Sequence, residues 1–85
     1  MTRQAMFEVV KAKIREIVDG TADLEIREDL SMRDLGADSL EIVEVVSRSM
    51  KELKIKVPRT ELSGARNLKE LLDLFEKSAA PSATS

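Results

Sequence analysis

Neither cysteine nor histidine occurs anywhere in this 85-residue chain. That absence removes thiolate nucleophiles, imidazole bases, disulfide frameworks and the nitrogen and sulfur ligands of ordinary metal centres. Tryptophan and tyrosine are missing too, and Phe7 and Phe75 are the sole aromatics, so bases of a nucleic acid would find little to stack on. Two prolines and three glycines leave few tight turns and much room for helix. No apolar run approaches the roughly 20 residues of a membrane-spanning helix, and no signal-peptide pattern opens the chain. The composition fits a reducing compartment. We expect a soluble, cytoplasmic domain, near the size at which one core is marginally sufficient.

Charge is present but unevenly placed. The net charge is −2, yet Asp19 to Glu44 holds nine acidic residues and two basic ones, a local −7, which leaves +5 on the remainder. Between Arg48 and Arg59 five basic residues stand against one acid, Glu52. An acidic half argues against nucleic acid as a partner and for docking by a basic protein surface.

Aliphatic periodicity predicts an all-α fold with three amphipathic helices and one short one. The first is expected over Gln4 to Val18, with Phe7, Val10, Ile14, Ile17 and Val18 at helical spacing and Gly20 as a stop signal. The second is expected over Ser39 to Leu53, where Ile42, Val43, Val46, Met50 and Leu53 form one stripe opposite Glu41, Glu44, Arg48 and Lys51. The last starts at Asn67, which with Glu70 spells a capping box, and carries Leu68, Leu71, Leu72 and Phe75 on one face. One domain over 1–77 is expected, with 78–85 as a small, polar, disordered tail.

Two connections are unusual. Asp19 to Asp38 is long for a loop, and Leu24, Ile26, Leu30, Met32 and Leu35 are expected to pin it across the bundle. Leu53 to Pro58 alternates like a strand but has no strand-like partner, so it is expected as an extended linker with Ile55 and Val57 in the core. Pro58 suits the start of a short helix over about Arg59 to Ser63. The core is expected to hold Ile42, Val43, Val46, Ile55, Val57 and Leu62.

One stretch carries the chemistry, Leu35-Gly36-Ala37-Asp38-Ser39-Leu40-Glu41. Asp38 followed by Glu41 spells a capping box, which by itself is a common helix start. It sets Ser39 at a helix mouth, where backbone N–H groups and the helix dipole favour a negative substituent. A serine nucleophile needs a neighbouring base, and the usual one is absent. Ser39 is therefore a poor catalyst and a good substrate for an enzyme that modifies it.

The run Asp29-Leu30, Asp34-Leu35-Gly36-Ala37-Asp38-Ser39-Leu40, then Glu41 and Val43-Glu44, resembles the signature of acyl carrier proteins. The match continues through Val57-Pro58 and the capped final helix, covering the chain up to about Glu76. The resemblance implies a four-helix carrier fold with a long first loop and a short third helix. It implies a covalent 4′-phosphopantetheine arm on Ser39, taken from coenzyme A by a phosphopantetheinyl transferase. Asp38, Leu40, Glu41 and Glu44 would then serve partner recognition, and acyltransferases, ketosynthases and other acyl-processing enzymes would be the partners of a monomer. It also implies that the aliphatic stripe can shelter an acyl chain. No residue is assigned a catalytic or metal-binding role.

The stretch Val57 to Leu68 looks more like discrete carriers of polyketide clusters than carriers of fatty acid synthesis, which are more uniformly acidic. The initiating Met1 and short tail fit a discrete protein. Peptidyl carriers tend to place Gly-Gly before His-Ser or Asp-Ser, where this chain has Gly36-Ala37-Asp38. Two alternatives stay open: a carrier of type II fatty acid synthesis, and a small helical interaction module with no covalent cofactor.

Overall fold

The computed structural model describes residues 2–79. Every regular element among them is a helix: α1 (Arg3–Ile17), α2 (Ser39–Leu53), α3 (Arg59–Leu62) and α4 (Leu68–Ala79). Each long helix begins for a local reason. Thr2 caps α1 by accepting the Ala5 N–H at 3.1 Å. Asp38 and Glu41 form the expected box at α2, with Glu41 N–H to Asp38 Oδ1 at 2.8 Å and Asp38 N–H to Glu41 Oε1 at 3.0 Å. At α4 only half of the expected box forms. Asn67 Oδ1 accepts the Glu70 N–H at 2.9 Å, while the Glu70 carboxylate reaches one residue further back, to the Arg66 N–H at 2.7 Å.

Helix ends show what sequence reading missed. Gly20, at φ +82°, lies past α1 as expected, but the buried Thr21 also holds this end, its hydroxyl donating to Val18 O at 2.8 Å. α2 ends on Lys54 at φ +59°, with Ile55 N–H reaching Met50 O at 3.0 Å in a Schellman pattern normally built on glycine. Pro58 caps α3 from outside, and Ser63 is its C-cap rather than its last residue. α4 runs to Ala79, two residues past the expected Lys77. The rest of the expected tail, 80–85, lies outside the described residues.

The core forms where these helices share aliphatic faces. Met6, Phe7, Val10 and Ile14 of α1 meet Val45, Val46 and Leu53 of α2 and Leu68, Leu71, Leu72 and Phe75 of α4. Ile55 and Val57 are buried, as expected for the linker. The α2 stripe is rotated from the expected one. Val45 and Ser49 are buried, whereas Val43 is 51% exposed and belongs to the surface. Small Val45 and Ser49 fit the close α1–α2 interface, which leaves Val43 facing away from it. Ile42 and Leu62, expected in the core, are only half-buried at its edge.

The long loop is pinned as its spacing suggests, with one exception. Ile26, Met32 and Leu35 are buried and Leu30 packs against the core, while Leu24 is exposed. Backbone bonds finish the attachment: Leu68 N–H donates to Leu30 O at 2.9 Å and Lys69 N–H to Glu28 O at 2.8 Å. The loop thus supplies acceptors for first-turn donors of α4 that a helix cannot satisfy itself.

Candidate functional site

The end of the loop builds the site. Leu35 N–H and Ala37 N–H both donate to Met32 O, at 3.1 and 3.0 Å, and Gly36 N–H donates to Arg33 O at 3.0 Å. Gly36 sits at φ +99°, a conformation that costs a side-chain-bearing residue energy even though nothing lies within 4 Å of where its Cβ would stand. This turn delivers Asp38 to the N-cap and folds Arg33 back toward the helix mouth.

Ser39 is the first residue of α2 and is exposed. Among the described residues its Oγ has one hydrogen bond, from the Arg33 guanidinium, whose Nη2 donates to it at 3.3 Å. The Glu41 N–H is taken by Asp38 Oδ1 and the Ile42 N–H by Asp38 O. Among the described residues the N–H groups of Ser39 and Leu40 have no acceptor and open to solvent. An accessible hydroxyl, two unpaired backbone donors and a guanidinium make a setting for an anionic substituent on Oγ. Among the described residues no base accepts a proton from Oγ.

Around the serine, Leu40 is 80% exposed and Val43 lies three residues on, so two large apolar side chains stand on one exposed face beside the hydroxyl. Glu41 is half-buried and engaged in the cap. Glu44 is exposed, but its carboxylate is held by Arg48 at 2.7 Å within the helix. The four residues expected to recognise partners therefore differ in kind. Asp38 and Glu41 are committed to the cap, Leu40 is free, and Glu44 is partly neutralised.

Beside the helix mouth lies a cavity of about 490 Å³ between α2, α3 and the loop, lined among others by Met32, Ile42, Val46, Met50, Leu62 and Leu68. The half-buried residues that the sequence placed in the core are its walls. Arg33, Arg59 and Arg66 also border it. Arg33, which reaches the Ser39 hydroxyl, is the residue at this site that sequence reading passed over. Its signal was present, since it is one of only two basic residues in the acidic half.

Residues 8–75 match the family described as phosphopantetheine attachment site. The chain belongs to this family of acyl carrier proteins. The carrier is 33% identical over 78 residues to the polyketide biosynthesis acyl-carrier protein AcpK of Bacillus subtilis (strain 168), an alignment covering 91% of this chain and 95% of AcpK. Its fold superposes with a TM-score of 0.80, at 34% identity, on a chain from the crystal structure of the curacin biosynthetic pathway HMG synthase in complex with acetyl donor-ACP, covering 93% of this chain and 99% of that one. The cofactor of the family is 4′-phosphopantetheine, so a helical module without a covalent group no longer describes this carrier. No helix among the described residues is long and apolar enough to cross a membrane.

Proposed function

We propose that this carrier bears its 4′-phosphopantetheine arm on Ser39 and serves polyketide biosynthesis in the cytoplasm as a non-catalytic monomer. The observation that carries the attachment site is the exposed Ser39 hydroxyl at the mouth of α2, beside two N–H groups with no acceptor. A phosphodiester there is a weak fit to most of a protein surface and a good fit to a helix N-terminus. Similarity to a polyketide carrier over nearly its whole length supports the pathway.

In the attachment step, Ser39 Oγ forms the new ester bond to the pantetheine-bearing phosphorus of coenzyme A, and the bond from that phosphorus to the adenosine bisphosphate breaks. The serine proton passes to a base of the transferase, since the described residues offer none at Oγ. Asp38 and Glu41 hold the turn that presents the hydroxyl, and Leu40 and Val43 give the transferase and acyl-processing enzymes an apolar foothold. When bound, the arm supplies a thiol that carries acyl groups as thioesters. The cavity lies within the roughly 300–1,000 Å³ typical of ligand sites, and its apolar walls suit an acyl chain.

Intact mass after incubation with coenzyme A and a phosphopantetheinyl transferase tests the attachment. Wild type should gain the mass of one arm, and Ser39→Ala should gain none while melting within a few degrees of wild type, because the cap does not use the serine side chain. An arm on the Ala variant, or none on wild type, would overturn the assignment. Comparing loading by polyketide-type and fatty-acid-type acyltransferases tests the pathway.

A further inference from the structure

Two basic residues lie in the acidic half of the chain, and they are used differently. Arg27 is paired with Asp29 at 3.0 Å. Arg33 has no carboxylate partner among the described residues and donates to Ser39 Oγ instead. The acids that flank it are engaged elsewhere. Asp34 accepts the Ser31 N–H at 3.0 Å, and Asp38 and Glu41 bond each other's backbone. A guanidinium that reaches Oγ is one bond short of any phosphorus carried by that oxygen. Guanidinium and phosphate form strong, charge-assisted and often bidentate pairs. Adding a phosphodiester also adds negative charge beside Asp34, Asp38 and Glu41, which leaves Arg33 as the nearest uncommitted cation.

We infer that Arg33 is the residue that holds the phosphate of the arm: once Ser39 is esterified, its guanidinium moves from Oγ to the non-bridging phosphoryl oxygens. The loop turn at Gly36 exists in part to bring it there. Arg33 is thus a positioning residue for the root of the arm, and the modified protein gains a contact between loop and helix that the unmodified one makes only weakly. The inference rests on Ser39 being the attachment residue.

The test compares wild type, Arg33→Gln and Arg33→Lys, each as unmodified protein and as protein loaded to completion and verified by mass. The readouts are the melting temperature and the ³¹P resonance of the arm. In wild type the loaded form should gain about 2 °C or more relative to the same gain in Arg33→Gln, as expected for one exposed charge-assisted pair in a domain of this size. Arg33→Lys should retain part of it, and high salt should shrink it. The ³¹P resonance should move between wild type and Arg33→Gln. Equal gains on loading in all three proteins, with an unmoved resonance, would overturn the inference while leaving Ser39 as the attachment point. A wild type that never gains the arm would overturn both readings.

Discussion

Two regions of this carrier treat charge in opposite ways. Where α1 meets the loop and α4, a single guanidinium is saturated: Arg3 binds Glu28 at 2.8 Å, Asp73 at 2.7 Å and Glu76 at 2.7 Å, and donates to Lys69 O at 3.1 Å. At the mouth of α2, among the described residues, Arg33 hydrogen-bonds only a hydroxyl and two N–H groups lack acceptors, while Leu40 is 80% exposed. The first region ties three segments distant in sequence into one body. The second is left unsatisfied, as a surface must be if it is to bind something else. The difference teaches where this small domain stores stability and where it keeps function.

Breaking the saturated region should have the largest effect on stability. Arg3→Ala should cost about 1 kcal/mol, read as a lower melting temperature or urea midpoint, because it removes one partly sheltered side chain from several partners at once. The modification proposed for Ser39 should be unaffected in the folded fraction. Acid should report on the same network. Hydrogen bonding to Arg3 is the main cause that holds the Asp73 carboxyl below its ordinary value, and the same partners push Arg3 further up, led by Glu28. A depressed folded-state value means this contribution is complete above the unfolded pKa of about 3.9 and is lost as pH falls through the lower folded value. The Arg3→Ala variant should therefore show a shallower loss of stability below about pH 4 than wild type. An acid profile unchanged by the substitution would show that the network is ornamental.

Asp38 sits where the two kinds of region overlap, since it caps a helix and flanks the hydroxyl proposed to carry the arm. Asp38→Ala should cost about 1 kcal/mol through the lost bond to the Glu41 N–H and should slow modification. Asp38→Asn keeps an acceptor for that N–H while removing the charge. If Asn restores both the melting temperature and the modification rate, Asp38 acts only by shaping the turn. If it restores only the first, the charge itself is read by the transferase.

Much of this division was legible in the chain. The helices followed from aliphatic spacing, and the α2 box from Asp38 and Glu41, because caps and amphipathic faces are local properties. Ser39 stood out because a chain without cysteine or histidine has so few other chemical handles. What escaped depended on packing between segments. Spacing placed Val43 in the core, and the fold instead buries Val45 and leaves Val43 on the surface. Thr21 looked like a loop residue until the fold buried it against the end of α1. The end of α2 fell at Leu53 as expected, but the left-handed conformation of Lys54 just past it, one that sequence assigns to glycine, was not foreseen. Arg33 is visible in the sequence as an isolated cation, but only the Gly36 turn places it on Ser39.

The smallest expected effect sharpens the comparison on the functional side, at Glu44. Reversing it to Lys should slow association with the transferase and acyl-loading enzymes while changing stability by no more than about 0.5 kcal/mol, since the position is exposed. The intrahelical pair with Arg48 tempers this expectation. A basic partner meets a carboxylate already bound at 2.7 Å, so wild type does not present the full charge. Arg48→Ala releases Glu44 and should raise the association rate, moving it opposite to Glu44→Lys. Both changes should fade as salt rises, because exposed charges are screened over about 10 Å at 0.1 M. Lys54→Glu lies beyond the acidic start of α2 and provides the control, with little change expected in the transferase step. Rates that respond equally to all three substitutions, or that ignore salt, would show that the polar face of α2 is merely solvated and that recognition rests on Leu40 and the mouth of the helix.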